Sequence, residues 1–423
     1  MNQSGGCSAT LLPALEDPTC HPLANGVDLV SLVLPEAPLV CLDFWCRAGS
    51  VFETAAESGM AHFLEHMVFK GSDHLSPGEF DLRVEALGGS SNAATGFDDV
   101  HYHVLINPEA APAALDLLLD LVLRPRLEAE SFAMERQVVL EELAQSEDQP
   151  EEVALQRLLE RACPDHPYSL PILGRRQALL DHDPEAMAAF HRRLYGGGHC
   201  LLALSGAVAP ALVEQAGQSA LTTLPPCRDT GPLPALAVVA GDHRLVVPRL
   251  EAARLLMAWW QPPAGDLEAV MGADLATTVL AEGRRSRLVE RLREDLRLVE
   301  SIDLDLHAME CGSLALLEAV CAPEDLPAVR EAIQSVWEEV MKRSLATKEW
   351  ERAMRLVSNS YRFGLESAAG VAGLIGCTRL WGRQAGLAAP LETLARWTPE
   401  RLQREALASL DPRRACVLEA LPE

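Results

Sequence analysis

GMAHFLEHMVFKGS, residues 59–72, places His62, Glu65 and His66 within five residues. Phe63, Leu64, Met67, Val68 and Phe69 between and after them predict a helix, with Ser58 as its N-cap and Gly71 as its stop. Positions i and i+4 share a helix face, so His62 and His66 aim their rings at one point, and Glu65 lies on the same side. Zinc favours imidazole nitrogen, and a catalytic zinc takes three protein ligands and keeps one open position. The order is the inverse of HExxH, and in either direction the glutamate beside the histidine handles the proton of a water that the metal acidifies. Glu65 is therefore the candidate general base, able to return the proton to a leaving amine. The bland alternative is three solvated side chains. The apolar residues of the same helix speak for burial, where histidines beside a carboxylate need partners. Two histidines still leave a third ligand to be found.

Outward from this helix the chain divides into elements. Residues 27–46 (VDLVSLVLPEAPLVCLDFWC) read as strand, turn, strand around Pro35 and Pro38. GGSSNAATGFDDVHYHVLI (88–106) reads as a glycine turn into a β-rich segment, with His101 and His103 facing the same way on one strand. They could be ligands, though ordinary strand residues are the simpler reading. Two segments with helical spacing follow, PEAAPAALDLLLDLVL and ESFAMERQVVLEELAQS, and LLALSGAV (201–208) reads as a strand. The proline-rich stretch at 222–236 lacks periodicity and reads as a linker between domains 1–221 and 237–423.

The second half repeats the first. Pro108-Glu109 with Pro112-Ala113 returns as Pro323-Glu324 with Pro327-Ala328, an offset of 215. Glu135-Arg136 returns as Glu351-Arg352, an offset of 216, in the same order of strand and helices. A repeat this long means two similar domains rather than a solenoid. Strands clustered apart from helices give the fold class: α+β, two homologous domains, each a largely antiparallel sheet with helices packed on one face.

The bulk numbers narrow the function. A chain of 423 residues has room for two to three domains. Its 48% hydrophobic and 23% charged residues are those of a globular protein, and no apolar run is long enough to span a bilayer. A net charge of −25 disfavours nucleic acid and anionic membrane as partners. Eleven scattered cysteines form no CxxC pair, and no basic stretch followed by an apolar core is read at residues 1–20, so reduced thiols and a cytoplasmic location are expected. No GxSxG or GxxxxGK[ST] occurs, so serine-hydrolase and P-loop chemistry find no support.

GMAHFLEHMVFKGS resembles the signature of the pitrilysin/insulinase family of zinc peptidases, and most of all its processing-peptidase branch. The likeness extends to Gly49-Ser50-Val51-Phe52-Glu53, to Gly88-Gly89 with Asn92-Ala93 and Thr95, and to His166-Pro167-Tyr168 with Gly174. It covers nearly the whole chain and implies the same two-domain fold. It also implies the third ligand. In ERQVVLEELAQSED two glutamates compete, Glu141 and Glu142, and the family's ERxVVxxE pattern selects Glu142, with 75 residues between it and His66. Glu135, two turns earlier on the same face, is carried over as a carboxylate near the zinc and joins Glu65 among the catalytic candidates. The resemblance further implies an unfolded peptide substrate, bound as a strand on the edge Asn92, Ala93, Ala94 and Thr95.

The repeat implies one zinc per chain. The counterpart of Glu142 is Ser358, and the segment matching the HFLEH helix, placed at 277–295, has no histidine. In the family the second domain supplies an arginine and, seven residues later, a tyrosine that hold substrate and oxyanion. Arg293 matches the arginine, but Glu300 stands at the tyrosine and Arg297 at a usual glycine. An ionised carboxylate donates no hydrogen bond to an oxyanion. Either the enzyme is weak or unusual, or the missing pair comes from a second chain; the expectation is a dimer, a heterodimer with a homologous zinc-less subunit before a homodimer. A non-catalytic assembly role is the alternative.

Overall fold

The structure, a computed structural model, describes residues 17–226 and 231–423. Residues 1–16 of the leading segment and residues 227–230 of the expected linker lie outside the described residues. Among the described residues, eleven strands form two sheets. The first half supplies β1 (Thr19–Pro22), β2 (Asp28–Val33), β3 (Val40–Cys46), β4 (Ser90–Thr95), β5 (Val100–Ile106) and β6 (Cys200–Gly206). The second supplies β7 (Gly241–Val246), β8 (Ala253–Gln261), β9 (Ser301–His307), β10 (Ser313–Cys321) and β11 (Cys416–Leu421). The helices of the first half are α1 (Met60–Val68), α2 (Glu79–Ala86), α3 (Ala111–Leu123), α4 (Ala129–Glu147), α5 (Pro150–Ala162), α6 (Arg176–Asp181), α7 (Pro184–Leu194) and α8 (Pro210–Gly217). Those of the second are α9 (Leu267–Ala281), α10 (Leu326–Lys342), α11 (Thr347–Gly364), α12 (Ala368–Leu380), α13 (Ala389–Leu394) and α14 (Pro399–Glu405).

The sheet orders, β1-β2-β6-β3-β5-β4 and β7-β11-β8-β10-β9, superpose strand for strand once β1 is set aside. Only β2 with β6 and β7 with β11 run parallel; every other pairing is antiparallel. In both halves a strand hairpin leads through the repeated Pro-Glu pair into two helices, α3–α4 and α10–α11, the second of which carries the Glu-Arg pair. By this correspondence α9 is the partner of α1. It begins ten residues before the segment expected for it, and it too lacks histidine.

Each half's own helices pack on one face of its sheet, around Leu42, Phe44, Tyr102 and Val104 in the first and Leu255, Met257, Leu317 and Val417 in the second. The opposite faces are covered by exchange. α12 of the second half lies over Val30, Leu32, Cys41 and Trp45 of the first sheet. α5 of the first half lies over Leu256, Ala258, Leu314 and Leu418 of the second. This accounts for β3, VCLDFWC, being buried at every position: a central strand with helices on both faces needs no alternation. Gly376 permits the close approach of α12, since a Cβ there would stand 2.3 Å from the Trp45 indole nitrogen.

α1 starts one residue later than the sequence predicts, and Ser58 is not its cap. Gly59 takes the N-cap position in the left-handed region, φ 85°, and the Glu53 carboxylate accepts the backbone N–H of Gly59 (2.9 Å) and Ala61 (2.8 Å). The Ser58 hydroxyl instead accepts the N–H of Arg175, and its carbonyl bonds His182 Nε2. A carboxyl group reaching in from upstream offers two acceptor oxygens to the orphan N–H groups of a helix N-terminus, where a hydroxyl offers one. Burial pushes Glu53 up to about 8 against those two hydrogen bonds.

Candidate metal centre

α1 buries Met60, Ala61, Phe63, Leu64, Met67 and Val68 and leaves His62, Glu65 and His66 half-buried along one face. α4 packs against that face and presents Glu135 and Glu142, seven residues apart and so on the same side. The Glu142 Oε2 atom lies 3.7 Å from His62 Nε2 and 3.4 Å from His66 Nε2. The three donor atoms lie within 4.8 Å of one another. Zinc–nitrogen bonds near 2.05 Å put ligand atoms at tetrahedral corners about 3.3 Å apart, so a small inward movement completes the set. Glu141, the competing glutamate, is exposed and accepts from the Gln137 amide at 3.1 Å.

The His66 ring is held from behind. Its Nδ1 lies 2.9 Å from Glu135 Oε1, and Lys70 Nζ lies 2.7 Å from the other Glu135 oxygen. The Nδ1–H donates to the carboxylate, which leaves the Nε2 lone pair directed at Glu142 and His62. Burial alone would raise Glu135, but the hydrogen bonds from His66 and Lys70 outweigh it and hold it below the ordinary carboxylate range. Glu135 thus acts on the centre through His66 and Lys70. Burial, with the His66 ring beside it, takes His62 down to about 4, so it is neutral and has a lone pair to give at neutral pH. Its Nδ1 is buried with no hydrogen-bond partner, so His62 lacks the support that His66 enjoys.

Glu65 sits on the same face with its carboxylate raised above the usual range, chiefly by burial. Thr95 of β4 donates its hydroxyl to Glu65 Oε2. β4 is the outermost strand of its sheet, and Ser90, Asn92 and Ala94 are exposed along it. The edge Asn92–Thr95 therefore adjoins Glu65, with unpaired backbone groups on its free side. Arg293 is not gathered here. It lies in a π-helical turn, Val289–Asp295, and pairs with its neighbour Glu294. Glu300 is exposed at the start of β9, and Arg297 holds the left-handed region at φ 55°, where a glycine would be unstrained.

The motifs around the signature serve to place α1. Gly49 lies so close to the loop after β4 that a Cβ would meet the Phe97 carbonyl at 2.4 Å. Ser50 and Val51 bond the carbonyls of Gly96 and Phe97. Gly174 packs on Gly59 at the N-cap, where a Cβ would meet the Gly59 Cα at 2.5 Å. The Tyr168 hydroxyl donates to Asp98 of the same loop.

Two family profiles match this chain: insulinase (peptidase family M16) over residues 30–176, and the peptidase M16 inactive domain over residues 182–357. The chain belongs to the insulinase family. Among insulinase-type relatives, an uncharacterized zinc protease of Mycobacterium tuberculosis is 28% identical over 91% of this chain and 89% of its own. Another, of Bacillus subtilis, is 24% identical over 82% of this chain and 84% of its own. A protease from Helicobacter pylori has the same fold, with a TM-score of 0.88, 23% identity, and coverage of 96% of this chain and 100% of that one. A peptidase M16 inactive domain from Pseudomonas fluorescens gives 0.86, 20%, 96% and 99%. The inactive-domain match starts in the first half, at residue 182, and runs into α11 of the second.

Lys70 escaped the sequence reading, although at i+4 from His66 it shares that residue's face. So did Thr95 as a partner of Glu65, since nothing local links β4 to α1.

Proposed function

We propose that this chain is a zinc endopeptidase acting on unfolded peptides. The observation that carries the reading is the His66 ring, oriented by Glu135 so that its Nε2 converges with His62 Nε2 and Glu142 Oε2. Two imidazoles and one carboxylate fit zinc in a site with a position left open. Bound zinc would polarise the scissile carbonyl and lower the pKa of a water. Glu65, raised by burial, would take a proton from the attacking water and give it to the leaving amine. The Thr95 hydroxyl fixes the Glu65 carboxylate for this task. A peptide adding to β4 through backbone hydrogen bonds would pass alongside Glu65 with little demand on its sequence. An arginine and a tyrosine donor come, in this reading, from a homologous chain that closes a chamber over the site. The exposed Glu300, in place of the tyrosine, favours such a dimer.

Hydrolysis of a quenched unfolded peptide by the purified chain alone, beside Glu65→Gln, tests this. Metal-dependent cleavage that falls at least about 100-fold in the variant, with zinc retained, supports a peptidase complete in one gene product. No cleavage by a chain that binds zinc supports the zinc-bearing subunit of a heteromer. No cleavage and no zinc at His62, His66 and Glu142 sinks the reading.

A further inference from the structure

The face of the first sheet turned away from the core of α1 holds a second convergence of metal-binding atoms. β3, VCLDFWC, is apolar but for one charged residue, Asp43, whose side chain points to this face and is almost wholly buried. On β5, His101 and His103 point the same way, while Tyr102 and Val104 enter the core. Asp43 stands directly opposite His103 in the antiparallel register, and His101 is the diagonal neighbour. The three donor atoms lie within 4.8 Å of one another, and His101 Nδ1 is 3.0 Å from Asp43 Oδ1.

These side chains are held before any ligand arrives. The His101 ring lies on Trp45, centroids 4.3 Å apart and planes 15° apart. His103 stacks in turn on His101 at 5.7 Å and 16°. α12 covers the β6 and β3 portion of this face, but His101 and His103 stay partly exposed beside the open Asn92 and Ala94 of β4. The cluster is therefore walled on one side and open on the other. A buried carboxylate in mid-strand has a desolvation cost that one hydrogen bond from His101 offsets in part and that a divalent cation would offset further.

We propose that Asp43, His101 and His103 form a second transition-metal site, taking zinc or a similar borderline divalent ion and leaving coordination positions open toward β4. Two imidazoles and a carboxylate on one face are the donor set such ions prefer over magnesium or calcium. The site is built from different elements than the α1–α4 centre, and it stands whether or not that centre is catalytic.

The test counts metal. Apo protein is loaded with excess Zn2+ at pH 7.5, desalted and assayed for bound metal, with far-UV circular dichroism to confirm folding. The wild-type chain is expected to hold two ions, H103Q and D43N one each, and H62Q/E142Q one. A wild-type count of one that H103Q leaves at one overturns the proposal. A count of one that H103Q abolishes but H62Q/E142Q retains upholds it and overturns the α1–α4 centre instead. Should H103Q and D43N fail to fold, Co2+ added to H62Q/E142Q decides: one bound ion with a d–d absorption band upholds the site, and none overturns it.

Discussion

Glu135 touches neither the open side of the centre nor the other two donors; its oxygens are taken by His66 and Lys70. Its effect should therefore appear in how tightly the metal is held. In Glu135→Gln the amide oxygen can still accept from His66 Nδ1, but the charge that strengthens this hydrogen bond and pairs with Lys70 is gone. The zinc dissociation constant is expected to rise about 10- to 100-fold, measured by competition with a chromophoric chelator; an unchanged constant would show that His66 needs no such support. At this scale the sequence was generous where spacing alone decides. His62, Glu65 and His66 announce themselves by i, i+3 and i+4. Glu141 and Glu142 are one residue apart and differ only in which way the helix turns them, so local pattern could not separate them without a family motif. Asp43 was harder still. A lone acid inside VCLDFWC is visible in the sequence, yet its meaning depends on a partner strand more than fifty residues away.

Among elements, the placement of α1 rests on backbone contacts that leave no room for side chains. Gly174 and Gly59 meet at the N-cap, and both adopt left-handed conformations, φ 86° and 85°. Gly174→Ala combines the strain of a Cβ in that region, about 1–2 kcal/mol, with a backbone collision. Gly78→Ala is the matched control: φ is 75° but nothing lies within 4 Å of the added carbon. Urea unfolding should show Gly174→Ala costing clearly more than Gly78→Ala, about 2 kcal/mol beyond it. Equal losses would mean that the contact is soft and that only backbone strain counts. The strands around Pro35 and Pro38, the hairpin after Gly88-Gly89 and the paired helices of each half are all legible from periodicity. The start of α1 is not, because Glu53, its true cap, lies outside the window that a capping rule searches.

At the scale of the molecule, the halves meet over acids. Asp98 accepts the backbone N–H of Glu310, the Trp381 indole N–H donates to Asp99 at 3.1 Å, and Arg383 pairs with Glu310. Burial, with Asp98 adjacent, pushes Asp99 up to about 6 from 3.8. The folded chain thus holds this proton more tightly than the unfolded one, and the wild type loses stability as pH rises from about 4 through about 6. Asp99→Asn keeps an acceptor for Trp381 without the charge. Its stability relative to wild type should be higher at pH 8 than at pH 4, by on the order of 1–3 kcal/mol. A pH-independent difference, read from denaturant unfolding at the two pH values, would contradict the assignment. The duplication was legible in the repeated Pro-Glu and Glu-Arg pairs. The exchange of α5 and α12 was not, since an amphipathic pattern tells that a helix has an apolar face and is silent about which sheet will receive it.

That exchange sets a timetable for synthesis. The strands of the first sheet are all present once Gly206 has been made, but the helix that covers Val30, Leu32, Cys41 and Trp45 is complete only at Leu380. At about 5–20 residues per second, translation leaves the interval at roughly ten to thirty seconds. Throughout that time the nascent N-terminal half carries a bare apolar face, which a chaperone, or a neighbouring copy at the same stage, can reach first.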